Sequence, residues 1–375
     1  MIILGGVKMI SLSDIAGFIE EIAPVRLAES WDNVGLMVGS MDSEVKRVLV
    51  CLDVTSEVVN EAVQKKVDLI LSHHPFIFGG LKKLDGKDPK GRLIHMLIKN
   101  SISVYSAHTN LDFARGGIND YLAELLGLSE AGALKSYKSD KLFKLVVFVP
   151  KENADAVRDA MSMNGAGWIG NYSDCSFMIN GVGTFRPLEG TNPYIGTKGK
   201  LEKTDEVRIE TIVKSGDLNK VVGAMIKVHP YEEVAYDVYP LEIPGEQYGM
   251  GNLGILQRPL LISEFIELVK QKLNIKNVRL IGNLDKQIER VAVFCGSFDP
   301  SLIGAVKSKA DIIVTGDIKY HTAVDILEAG TCAVDAGHFG TEKIIVPRLA
   351  EILSKRFSDA VILESESMED PFKVF

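Results

Sequence analysis

His73 and His74 stand side by side after an apolar run, and two later segments repeat one spacing, His108-x-x-x-Asp112 and His338-x-x-x-Glu342. Imidazole and carboxylate donors one helical turn apart point the same way, which is how a short element offers two ligands to one metal ion. Five of these six side chains furnish the nitrogen and oxygen donors of a two-metal site: His73 on one ion, His74 on the other, Asp112 and His338 completing one each, and Glu342 bridging. His108 is left between two roles, a further ligand and a group that moves a proton beside the metals. With no thiolate nearby, such a donor set suits zinc first and also Fe, Mn, Co or Ni. A hydroxide held between two such cations is a nucleophile at neutral pH, because coordination lowers the pKa of water to about 7. Hydrolysis is the chemistry that follows.

The elements that must position these donors form an internal repeat. Arg47-Val48-Leu49-Val50 leads to Asp68-Leu69-Ile70-Leu71-Ser72-His73-His74. At a constant offset of 243, Arg290-Val291-Ala292-Val293 leads to Asp311-Ile312-Ile313-Val314-Thr315-Gly316-Asp317. Further on, SVYSAHTNLD from Ser103 to Asp112 answers AVDAGHFGTE from Ala333 to Glu342 at offset 230, so the first copy carries thirteen extra residues between its second and third strands. Short apolar runs alternating with helical patterns predict β-α units and a largely parallel sheet. Ligands of such sheets collect beyond the carboxyl ends of the strands, where these histidines fall. The fold expected is therefore α/β, with duplicated β-α units building the metal-binding domain.

The repeat also sets the domain organisation. The metal-binding domain takes residues 1–137 and 244–375. Between them, 138–243 reads β-α-β-β-α-β, an inserted α+β unit of ferredoxin-like type. Ahead of the first copy, Ser11 caps a helix running to about Ile22, and Trp31 to Gly39 reads as a turn and a strand, with Trp31 expected in the core. Pro347 either kinks the last long helix or marks its first turn.

Composition narrows the class. With 375 residues, 46% hydrophobic and 25% charged, the chain can bury more than one core. A net charge of -8 and a pI near 5.5 speak against a nucleic-acid surface. The apolar N-terminal decapeptide is too short to span a bilayer and lacks a signal-peptide cleavage region, and Met9 is a candidate start. Four cysteines without C-x-x-C spacing, three of them in predicted strands, fit a reduced, cytoplasmic protein. No G-x-x-x-x-G-K-[ST] phosphate loop is present.

The motifs Ser72-His73-His74-Pro75, Ala107-His108-Thr109-Asn110-Leu111-Asp112, Gly316-Asp317-Ile318-Lys319-Tyr320-His321 and Asp335-Ala336-Gly337-His338 to Glu342 are together similar to those of the GTP cyclohydrolase I type 2 homologues, the Nif-three-like family. The resemblance covers nearly the whole chain outside the insert, and the Trp31 to Gly39 segment fits it. It implies His73, His74, Asp112, His338 and Glu342 as ligands of two divalent ions per chain, and a homohexameric ring with its metal sites facing an internal cavity. It also implies a central domain similar to PII and CutA folds, which the segment from Val228 to Tyr236 resembles. Expected partners are copies of the chain and an unidentified small molecule, with no membrane and no nucleic acid.

Other candidates have blander expectations. His229 with Glu232 and Glu233 is read as a solvated or interface turn, His321 as a helix start or a support of the site, and His95 as a packed helix residue. The expected function is a metal-dependent hydrolase acting on a small phosphorylated or cyclic-amide molecule. The alternative is a non-catalytic metal-binding regulator or metallochaperone whose insert reads a signal. A third reading, a purely structural metal site, would have closed coordination.

Overall fold

The computed structural model describes residues 9–374, so most of the apolar N-terminal decapeptide lies outside the described residues. The chain divides into two units, one taking in the chain up to Tyr137 and again from Tyr248, the other running from Lys138 to Gln247.

The first unit opens with α1 (Leu12–Ile22), whose Ser11 cap and Asp14 close a reciprocal capping box. Strand β1 (Gly35–Val38) follows, then the first repeat: β2 (Arg47–Cys51), α2 (Ser56–Gln64), β3 (Leu69–Ser72), α3 (Pro89–Lys99), β4 (Ser103–Ser106). The short α4 (Thr109–Phe113), α5 (Ile118–Leu125) and β5 (Ser129–Ser139) complete this half. In the second unit come β6 (Leu142–Pro150), α6 (Ala154–Ser162), β7 (Ser176–Phe185), β8 (Glu202–Lys214), α7 (Leu218–Val228) and β9 (Tyr236–Leu241). The chain returns through β10 (Gln247–Leu261), α8 (Ile262–Leu273) and β11 (Arg279–Ile281) to the second repeat: β12 (Gln287–Ser297), α9 (Ile303–Lys309), β13 (Ile312–Gly316), α10 (Tyr320–Glu328), β14 (Cys332–Asp335). It ends with α11 (His338–Glu342), α12 (Ile345–Arg356) and β15 (Val361–Glu364). Pro347 falls in the first turn of α12, where its missing N–H costs nothing.

Two mixed sheets carry the first unit, ordered β1-β4-β3-β2-β15 and β11-β14-β13-β12-β10-β5. In each, the three repeat strands run parallel and an antiparallel strand borders the third. The two-residue period of the strands explains the layering. Val48, Val50, Leu69 and Leu71 of one sheet, with Val291, Val293, Ile312 and Val314 of the other, belong to one central core with α1, α5, α8 and α12. The alternate residues turn outward, Leu49 and Ile70 onto α2 and α3, and Ala292 and Ile313 onto α9. Both strand sets are therefore apolar on both faces, as expected of parallel strands covered by helices. Among the described residues no helix is long and apolar enough to cross a membrane.

In the second unit four antiparallel strands are ordered β7-β8-β6-β9. Leu145, Val147, Ile209 and Val213 meet Val157, Met161, Val221 and Met225 of the two helices in a core of their own. His229 is buried rather than solvated. Its Nε2 donates to the Phe148 carbonyl and its Nδ1 accepts the Tyr231 N–H, a pairing that ties down the Pro-containing turn. His95 differs as well. It lies on the exposed side of α3, because Leu93, Ile94 and Leu97 take the buried stripe.

Candidate metal centre

Parallel pairing fixes where the donors emerge. Cys51, Ser72 and Ser106 are register partners across β2, β3 and β4, so His73 and His74 leave β3 level with the turn that carries His108 after β4. The Ser72 hydroxyl donates to the His74 carbonyl at 2.9 Å and pairs with the Ser106 hydroxyl at 2.8 Å, locking the two strand ends together. His108 is the N-cap of α4 and Asp112 sits one turn on. His338 opens α11 and Glu342 closes it.

The structure brings all six candidate side chains to one place. The Glu342 carboxylate is almost completely buried. Its Oε2 lies 2.9 Å from both His74 Nε2 and His338 Nε2, and its Oε1 lies 3.8 Å from His73 Nε2. Asp112 Oδ1 is 3.5 Å from His73 Nε2 on the far side. One donor atom each from His73, His74 and His108 fall within 4.8 Å of one another, as do those of His74, His338 and Glu342. The two Nε2 atoms of His74 and His338 approach to 3.3 Å, both beside the same Glu342 oxygen.

What orients the rings is a set of groups for which no local signal exists. His74 Nδ1 is held by Asp53 at 2.8 Å, His108 Nδ1 by Asp32 at 2.9 Å, His338 Nδ1 by Asp317 at 2.9 Å, and His73 Nδ1 by the Ala107 carbonyl at 2.9 Å. Each acceptor draws the ring proton to Nδ1 and leaves Nε2 facing inward, the arrangement that metal-ligating histidines use. In the sequence Asp317 appears as the repeat partner of His74 and within the Gly316 to His321 motif, Asp32 within the Trp31 to Gly39 segment, and Asp53 only as the neighbour of a strand end, none of them marked there as a partner of a histidine ring. Their roles follow from three-dimensional proximity alone.

Two glycines explain why the halves are not identical. Gly296 stands where the first copy has Asp53. It adopts φ +69, and a Cβ there would lie 2.2 Å from Glu342 Oε1. Gly316 stands where the first copy has His73, and a Cβ there would meet the backbone of Gly337 and His338 at 2.6 to 2.7 Å. The second half thus gives up side chains at two strand ends so that the His338 turn and the Glu342 carboxylate can enter.

The electrostatics match a site made for cations. Burial disfavours the charged His74 ring, yet the carboxylates of Asp53 and Glu342 on its two nitrogens outweigh this and push its pKa up to about 10. His338, between Glu342 and Asp317, rises to about 9 by the same contest. Glu342, despite its burial, is held well below the usual carboxylate range by the surrounding rings. Burial moves Asp112 the other way, above its usual range, against the pull of His73 and His108. His73 Nε2 and Asp112 Oδ1 are buried with no hydrogen-bond partner among the described residues. Orphaned buried donors and acceptors are rare, and two facing each other fit a bound cation.

Trp31 departs from expectation. It is 55% exposed and lies edge-on to the His108 ring at 6.2 Å, because the Asp32 side chain next to it is turned inward to His108. His321 sits exposed in the first turn of α10.

A pair of α/β halves converging four imidazoles and two carboxylates defines a class of protein with a candidate metal centre between repeats. The chain belongs to the Duf34/NIF3 (NGG1p interacting factor 3) family, whose model matches residues 10–371. It is 44% identical to the GTP cyclohydrolase 1 type 2 homolog of Halalkalibacterium halodurans, covering 94% of this chain and 96% of that protein. It is 42% identical to the Bacillus subtilis protein of the same name, covering 97% and 99%. A Bacillus cereus protein related to NIF3 superposes with a TM-score of 0.88 at 42% identity, over 98% of this chain and all of that one.

Proposed function

We propose that the chain is a dinuclear divalent-metal hydrolase of small molecules. His73, Asp112 and Glu342 Oε1 would hold one ion, and His74, His338 and Glu342 Oε2 the other. The observation that carries this reading is the anchoring of four imidazoles through Nδ1, which leaves the Nε2 atoms of His73, His74 and His338 around a single buried carboxylate. Two ions in these positions would supply Lewis acidity and an activated water. Three protein donors per ion leave coordination positions open, the mark of catalytic rather than structural sites. His108 is then spare. With Nδ1 on Asp32 its free Nε2 is placed to take and return a proton, and we assign it that role. Zinc is the first candidate metal, with Fe, Mn, Co or Ni compatible with the same donors.

The proposal extends to the rest of the molecule. The 138–247 unit is read as a ferredoxin-like insert of the PII and CutA kind, supported by its β-α-β-β-α-β order and a sheet in which the fourth, first, third and second strands adjoin in turn. A homohexameric ring and a cytoplasmic setting complete it, and four free cysteines suit a reducing compartment. The alternative, a metal-binding regulator, draws support from this insert having its own core.

Elemental mass spectrometry on untagged protein tests the reading. Wild type is expected to carry two ions per chain, Glu342→Gln one or none, and His108→Gln two. Two ions retained by Glu342→Gln would overturn it. Turnover of phosphoesters or cyclic amides, lost in His108→Gln with its metal intact, separates hydrolase from regulator.

A further inference from the structure

The loop between β3 and α3 has no counterpart in the second half, where only residues 317–319 join β13 to α10. The extra chain brings Phe78, 57% exposed, to the ring of Trp31, with centroids 5.7 Å apart and planes tilted by 37°. Asn33 fastens the loop by donating its side-chain N–H to the Ile77 carbonyl. Trp31 in turn touches the His108 ring, which is 5.3 Å from that of His73 and 5.5 Å from that of His74. The cluster is open to solvent along its rim, where the side chains of His338, His74 and His108 are 33%, 21% and 15% exposed while His73 is sealed, and Trp31 stands at the His108 end of that rim.

Packing does not account for the two rings. Neither belongs to any of the buried cores or to the residues packed against them. The neighbouring Phe76 is buried, and its face is taken by the Lys90 ammonium at 4.0 Å. Phe78 and Trp31 instead leave aromatic surface in water beside a buried polar cluster, the usual composition of a small-molecule site. Base-sized rings stack on such side chains with useful energy. Over residues 75–88 the loop holds Lys82, Lys83 and Lys87 against Asp85 and Asp88, and Lys90 and Arg92 follow in the first turn of α3, a local positive excess in an acidic chain.

We infer that Trp31 and Phe78, packed on each other, form an exposed stacking platform for a planar heteroaromatic ligand with an anionic substituent, holding it with one edge toward His108. Where the ligand's other edge goes rests on the proposed metal reading; the platform itself does not.

Trp31 and Trp168 are the two tryptophans of the chain, so a full-length Trp168→Phe variant reports on Trp31 fluorescence alone. Titration of the metal-loaded variant with AMP, GMP and UMP is expected to give saturable quenching with at least one nucleotide. Ribose 5-phosphate, which has the phosphate without the base, is expected to give none. Phe78→Leu keeps the bulk and removes the ring, and should weaken that nucleotide about tenfold or more; Phe78→Tyr should restore it. Metal content is measured on every variant. Quenching that survives loss of metal in Glu342→Gln supports the platform while counting against a metal-anchored ligand. No quenching by any of the three nucleotides with two ions bound, or affinity indifferent to Phe78→Leu, overturns the platform and leaves the metal reading standing. A Trp31 signal that follows protein concentration and not nucleotide also overturns it, marking the pair as a contact between copies.

Discussion

Adding one methyl group at Gly296 tests the geometry of the whole centre. Gly296 has φ +69, where an alanine costs about 1 kcal/mol in backbone strain. The larger effect is local. The new Cβ would stand 2.2 Å from Glu342 Oε1, whereas ordinary contact starts near 3.4 Å, so the carboxylate must retreat by about 1 Å. Glu342 cannot retreat at one oxygen only. Its Oε2 is bound at 2.9 Å to both His74 and His338, and the rigid carboxylate plane turns as a unit. Metal distances tolerate about 0.2 Å, so a shift several times larger should weaken both ions about 100-fold, roughly 2.7 kcal/mol. The assay is competition against a chelator with zinc and manganese, read beside elemental mass spectrometry and a thermal melt of the metal-free protein. Gly304→Ala in α9, where a Cβ meets nothing within 4 Å, serves as the control and should leave affinity unchanged. A folded Gly296→Ala protein with wild-type affinity for two ions would refute the reasoning, since Glu342 would then not be the shared ligand.

Two further outcomes follow from single residues. Asp53→Ala frees His74 Nδ1 and should lower affinity for one ion 10- to 100-fold with little change in folding; equal loss of both ions in the chelator titration would argue against separate sites. Glu61 anchors the segment after β15 by accepting from Ser365 Oγ and the backbone N–H groups of Glu366 and Ser367, and from Lys65. Although burial opposes its charge, these donors lower its pKa to about 2. Its contribution is therefore present above the ordinary carboxylate value and lost as pH falls from about 4.5 toward 2. The stability gap between wild type and Glu61→Gln, measured by denaturant titration, should close over that window; a gap that widens in acid would reverse the assignment.

Local signals in the chain settled a good deal. The two-residue period of the strands and the offset repeat determined parallel β-α units in two copies, and the one-turn spacing of His108 with Asp112 and of His338 with Glu342 determined that each pair shares an element. Ser11 determined its helix start. These are short-range physics, written in neighbouring residues. Tertiary structure decided the rest. Asp32, Asp53 and Asp317 orient rings 76, 21 and 21 residues away, separations that no periodicity marks. Gly296 and Gly316 matter through atoms of the His338 turn that come close only once the second half has folded. Trp31 has the type of a core residue, yet its neighbour Asp32 spends the inward direction on His108 and turns the indole to solvent. A side chain's chemistry is fixed by its type, but its direction and its neighbours are fixed by which strand ends the sheets bring level.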